Sequence, residues 1–152
     1  VADMMPARLT MIGGGDRLDH TFAALGALGL AELTSIPVID AWWGEQHVDV
    51  LHGPGQATLA LAPDSIVSLL ALHGPCTGVT ITGVRWQLDA ATLSPVAGWG
   101  VSNEVVADGT VNIRLSSGVL TVFDVPAPTN PPTSSSPHQP STIDDSKKDH
   151  TT

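Results

Sequence analysis

From residue 46 onward, apolar and polar positions alternate over much of the chain, and a period of two predicts strands. Candidate strands lie at 47–51, 56–62, 79–89, 101–106, 110–116 and 119–125. Turn signals separate them: Gly53-Pro54-Gly55, Gly74-Pro75, Gly98-Trp99-Gly100, Asp108-Gly109 and Ser117-Gly118. The last two strands make the clearest pair. Val111, Ile113 and Leu115 alternate in one, and Val119, Thr121, Phe123 and Val125 in the other, so a hairpin about Ser117-Gly118 is expected. The stretch 64–73 reads two ways. Pro63-Asp64-Ser65 looks like a helix start, with Ile66, Leu69, Leu70 and His73 on one helical face, while 66–72 equally fits a buried strand. The short helix is preferred.

The N-terminal third reads as strand, glycine turn, helix. Residues 8–12 form the strand and Gly13-Gly14-Gly15 breaks it. Asp16 is the expected N-cap, its carboxylate accepting backbone N–H bonds, and Asp19 places negative charge in the first turn. Leu18, Phe22, Leu25 and Gly29 fall on one helical stripe. Gly26 and Gly29 each cost an isolated helix ~1 kcal/mol relative to Ala, which suits a face packed closely against another backbone. The helix should stop before Ser35-Ile36-Pro37. Over residues 1–125 the fold class expected is therefore α+β: an N-terminal strand–turn–helix packed on a mainly antiparallel β-sheet or small sandwich. No internal repeat is visible.

Residues 126–152 change character. They hold six of the chain's 12 prolines, and Ile143 is the one large aliphatic residue there. Such a segment buries too little surface to offset its ordering entropy, so a disordered Pro/Ser/Thr-rich tail is expected, with a Ser/Thr cluster able to accept phosphate. Among the 152 residues 42% are hydrophobic and 14% charged. A free-standing domain carries about a quarter charged residues, so some surface is expected to be covered by neighbours. The net charge of -9, with scattered arginines, argues against direct nucleic-acid binding. No apolar run approaches the roughly 20 residues of a membrane span, and no signal peptide is visible. The chain begins with Val1, and a fragment of something longer is the preferred reading. Cys76 is the single cysteine and reads as a small buried hydrophobe.

Candidate chemistry is sparse. The glycine loop before the helix invites an anion-binding reading, but its spacing fits neither the dinucleotide fingerprint nor the P-loop, no Lys follows, and Asp16 and Asp19 oppose a phosphate. A tight turn is the preferred account. His47-x-Asp49-x-x-His52 is the best metal-like cluster, since His47 and Asp49 share a strand face and His52 could close in from the turn. A polar strand end explains it as well, and neither a metal nor another cofactor is expected. No G-x-S-x-G elbow is present, and no catalytic residue is assigned. Four tryptophans stand against no tyrosine. Trp86 is read as core, while Trp42, Trp43 and Trp99 are candidate interface residues, Trp99 first among them because it lies between two glycines.

The run Gly13-Gly14-Gly15-Asp16-Arg17-Leu18-Asp19-His20-Thr21-Phe22, within residues 7–30, resembles coat proteins of totivirus-like double-stranded RNA viruses of fungi, the victorivirus group. The resemblance implies the C-terminal portion of a capsid subunit that assembles an icosahedral shell around a double-stranded RNA genome. It implies a homo-oligomer of capsid neighbours, no enzymatic activity, no membrane, and a place in the virion and the host cytoplasm. The competing reading is a β-rich module binding carbohydrate or protein through exposed tryptophans.

Overall fold

The computed structural model describes residues 6–15, 17–106 and 108–126. The expected tail lies, past Pro126, outside the described residues. Strand β1 (Arg8–Gly13), helix α1 (Leu18–Leu28) and strand β2 (Val38–Trp43) open the chain. β1 and β2 pair in parallel, from Arg8 opposite Val38 to Gly13 opposite Trp43. A parallel pair needs a crossover connection, and α1 provides it. There follow β3 (Gln46–His52), β4 (Gly55–Ala60), β5 (Ile66–Leu70), β6 (Cys76–Thr82), β7 (Leu88–Leu93), β8 (Gly100–Glu104), β9 (Thr110–Leu115) and β10 (Val119–Val125).

The described residues are mostly strand, in two sheets. A mixed sheet runs β1-β2-β3-β10-β5-β8, and an antiparallel sheet runs β4-β9-β6-β7. Between the sheets lies one core, with Val67, Leu69, Leu120 and Val122 from the larger sheet and Val79, Ile81, Val111 and Ile113 from the smaller. A second core lies on the other face of the larger sheet. There Leu25 and Leu28 of α1 meet Ile39, Ala41, Val48 and Val50.

Several expectations change. Residues 66–70 are a strand, because β5 is enclosed by β10 on one side and β8 on the other. Alternate burial of Val67 and Leu69 in the inter-sheet core overrides the helical spacing. The long strand at 79–89 is two strands. Gly83, at φ +80, breaks it where an added Cβ would run into the backbone carbonyl of Thr110. The hairpin about Ser117-Gly118 does not form. β9 pairs with β4 and β6, whereas β10 pairs with β3 and β5, so the chain crosses between sheets there. β10 is apolar on both faces, Leu120 and Val122 toward the inter-sheet core and Val119 and Phe123 toward α1. A strand with two faces to bury belongs in the middle of the larger sheet.

Helix α1 also departs from its expected form. Its N-cap position is Arg17, with no side-chain cap bond, and Asp16 lies outside the described residues. Leu25 and Leu28 are buried, while Leu18 and Phe22 are exposed, because only the C-terminal half of the helix packs on the sheet. An added Cβ at Gly26 would meet nothing within 4 Å, and at Gly29 it would meet the His73 ring rather than backbone. His73 Nε2 bonds the carbonyls of Leu25 and Gly26 at 3.2 Å each, and His52 Nε2 bonds that of Leu28 at 3.4 Å. The last turn carries no basic residue of its own. Two imidazoles from elsewhere in the chain bond carbonyls of its last turns instead.

Candidate functional site

Two constellations stand out from the scaffold. The first is polar and lies on the larger sheet. Strand register lines up Thr10, Asp40 and Asp49 across β1, β2 and β3, and sets His47 opposite Trp42 on β2 and Asp124 on β10. All belong to the face that β10 and β5 turn toward the smaller sheet. Asp40 is fully buried. Arg8 contacts both its carboxylate oxygens, the Thr10 hydroxyl donates to Oδ1 at 2.6 Å, and His47 Nε2 lies 3.3 Å from Oδ2. Burial alone would raise the Asp40 pKa, but these donors outweigh it and hold the carboxyl at about 2.

The other ring nitrogen of His47 faces two more carboxylates. Nδ1 is 3.1 Å from Asp124 Oδ2 and 3.5 Å from Asp49 Oδ2. Burial disfavours the imidazolium, yet bonding to Asp40 and the charges of Asp49 and Asp124 prevail, so the His47 pKa is raised. Burial pushes the Asp49 carboxyl up, and its Oδ2 is buried without a hydrogen-bond partner. The Trp42 ring sits 4.5 Å from that of His47, centroid to centroid, and walls one side.

Of the sequence cluster His47, Asp49 and His52, the first two share a face as expected. His52 does not close in. It lies on the opposite face of β3, against α1 and Thr34. Its place is taken by Asp124, 77 residues from His47 in sequence and adjacent through strand pairing. Asp124 was missed because a single Asp in an apolar strand looks like an edge residue. Its parity with Leu120 and Val122 was the available signal.

The second constellation surrounds Trp86, between β6 and β7. Far from being core, its side chain is 54% exposed. Its backbone is nonetheless held firmly. Buried Asn103 of β8 accepts from the Trp86 N–H at 2.9 Å and donates to its carbonyl at 2.6 Å. Beside it, Arg85 pairs with Glu104 at 2.8 Å, and its guanidinium lies 5.0 Å from the Trp86 ring centroid. A long-range amide clamp thus fixes the backbone that carries a half-exposed indole. Trp99 is 89% exposed, and Trp42 is exposed while Trp43 packs on the α1 side. The glycine loop leads to Arg17 and Asp19, which pair with each other at 2.5 Å. Ser116 and Ser117 mark the crossing between sheets.

Residues 57–120 match the family model described as thiamin pyrophosphokinase, vitamin B1 binding domain. No curated protein sequence matches the chain. Solved structures do resemble it. Thiamine pyrophosphokinase from Bacillus subtilis superposes with a TM-score of 0.69 at 18% identity, over 81% of this chain and 57% of that one. The enzyme from Geobacillus thermodenitrificans gives 0.60 at 22%, over 77% and 53%. That from Candida albicans gives 0.65 at 12%, over 82% and 46%. The likeness is one of fold, and the chain spans little more than half the length of the bacterial proteins.

These matches overturn the viral-shell expectation. Neither the family model nor these folds is that of a coat protein, and a capsid role, a virion location and the exclusion of enzymatic activity fall with it. The Gly13–Phe22 run that suggested a coat protein is the turn into α1 of a βαβ unit. Within it Gly15 takes a φ of +104, which favours glycine.

Proposed function

We propose that this chain binds thiamin and belongs to an enzyme of the thiamin pyrophosphokinase type. The observation that carries the reading is the family-model match over 57–120, on a chain whose fold resembles proteins of that name. The matched segment includes the clamped Trp86 and its Asn103 partner. Thiamin pairs an aminopyrimidine with a cationic thiazolium. An indole face suits both parts, by stacking and by attraction of the cation to the ring quadrupole, worth ~0.5–2 kcal/mol. Arg85 already sets a cation against this ring. The acidic chain, at -9, favours a cationic ligand over an anionic one. The competing expectation was a β-rich module binding carbohydrate or protein through Trp99 and one of Trp42 and Trp43, and the present reading uses Trp86 instead.

Under this reading Trp86 contributes the platform, and Asn103 positions it by fixing the backbone on either side of the indole. Calorimetric titration of the full chain with thiamin tests it. Saturable 1:1 binding is expected, with Trp86→Ala raising Kd at least about tenfold, or ~1.4 kcal/mol. Trp99→Ala, at a site with no comparable support, should leave Kd within about twofold. Absence of binding at millimolar thiamin, or a Trp86→Ala protein that binds as the parent does, would refute the proposal.

A further inference from the structure

We propose that His47, Asp49 and Asp124 form a site for a divalent transition-metal cation that ties β3 to β10. This does not depend on the thiamin reading, since none of the three residues borders Trp86. The three donor atoms lie within 4.8 Å of one another. Two separations can be compared with a known geometry. Zinc bonds imidazole nitrogen and carboxylate oxygen at about 2.0–2.1 Å, so neighbouring donors of a tetrahedral site stand ~3.3–3.4 Å apart. Here His47 Nδ1 stands 3.1 Å from Asp124 Oδ2 and 3.5 Å from Asp49 Oδ2. One nitrogen and two carboxylate oxygens leave a fourth position for water or an outside ligand.

Three further observations point to a cation. The first is Asp49 Oδ2, which is buried and has no hydrogen-bond partner. A polar atom in that state carries a desolvation penalty that a ligand would relieve. The second is the support behind His47. Its Nε2 is held by Asp40, itself fixed by Arg8 and Thr10. Histidines that ligate a metal through one ring nitrogen characteristically anchor the other on a carboxylate in this way. The third is charge. Asp40, Asp49 and Asp124 face Arg8 and His47, and Arg8 is bonded to Asp40. Among the described residues no Lys or Arg is paired with Asp49 or Asp124. A divalent cation at Nδ1 would match that pair of carboxylates in charge.

Access and donor type narrow the choice of ion. Asp49 lines a cleft of about 470 Å³ beside β4, and Asp124 lines a separate depression beside Ala60 and Ser65. A mixed imidazole and carboxylate set favours zinc and its first-row neighbours over calcium or magnesium, which take oxygen donors.

The test is titration of the chelator-treated full chain with Zn2+, followed by calorimetry, and with Co2+, followed by visible absorption. One equivalent per chain is expected, with Co2+ bands of low-symmetry coordination and a rise in Tm that grows with metal concentration. His47→Gln and Asp124→Asn should each weaken binding at least about tenfold, folding being checked by near-ultraviolet circular dichroism. Asp49→Asn should do the same while keeping the fold, because the burial penalty on its charge disappears. If the parent chain shows no stoichiometric uptake, the proposal fails. It also fails if uptake persists unchanged in folded Asp49→Asn or Asp124→Asn protein, since the metal would then sit on other histidines.

Discussion

Ile113→Ala is expected to destabilise the fold by about 3–4 kcal/mol, within the ~2–5 kcal/mol range for truncating a buried isoleucine. Ile113 is fully buried. It sits on β9 with β4 on one side and β6 on the other, in register with Ala57 and Ile81. Across the core it belongs with Leu69, Leu120 and Val122 of the larger sheet. Both sheets fix the walls around it, so collapse into the space left by the lost atoms is restricted, and the cavity adds to the lost transfer energy. A domain of this size has only ~5–15 kcal/mol to lose, so the variant should melt well below the parent. Arg114→Ala, one residue on and exposed, should change stability by no more than about 0.5 kcal/mol. Urea unfolding of the two variants beside the parent measures the difference. Equal losses would mean that β9 does not face the second sheet.

Acid should weaken the fold through Asp40. Its folded pKa is about 2, against the ordinary value of 3.8. The unfolded chain therefore binds the proton more readily between those values, and stability falls as pH falls through that window. The contribution is fully present above about pH 4 and worth about 2 kcal/mol there, at ~1.4 kcal/mol per pKa unit. Asp49 works in the opposite sense. Burial raises its pKa, so its carboxylate is a cost at neutral pH that protonation relieves. Its effect lies above pH 3.8, where stability rises as pH falls, so Asp49→Asn should remove that rise and leave the Asp40 limb between pH 4 and 2 in place. Asp40→Asn should flatten that limb and lower stability at pH 7 by about 1–3 kcal/mol, through the loss of charge-assisted bonds to Arg8, Thr10 and His47. Urea midpoints at several pH values between 2 and 7 decide it. An Asp40→Asn protein with the parent's acid limb would place the proton elsewhere.

Local pattern was enough to find most elements of this protein, since strand alternation and helix periodicity are written in neighbouring residues. β10 was found at its full length, 119–125, and β3 and β9 to within a residue or two. The break between β1 and α1 follows from three glycines, and the burial of Cys76 from its apolar surroundings. Partnership was not legible. Whether Ser117-Gly118 turns a hairpin or passes between sheets depends on what β9 and β10 each find to pair with, and both sequences suit either outcome. The helical spacing of Ile66, Leu69 and Leu70 yielded to strand pairing on both sides for the same reason. So did the sites. His47 and Asp49 are neighbours in sequence, but Asp40 and Asp124 reach them only through register across β2, β3 and β10. Trp86 has the composition of a core residue, and the clamp from Asn103, 17 positions away, is what leaves it facing outward. Residue identity sets which atoms can bond and which prefer to be dry. Only the pairing of distant strands decides which of them meet, because that choice minimises buried, unpaired backbone and apolar surface over the whole chain at once.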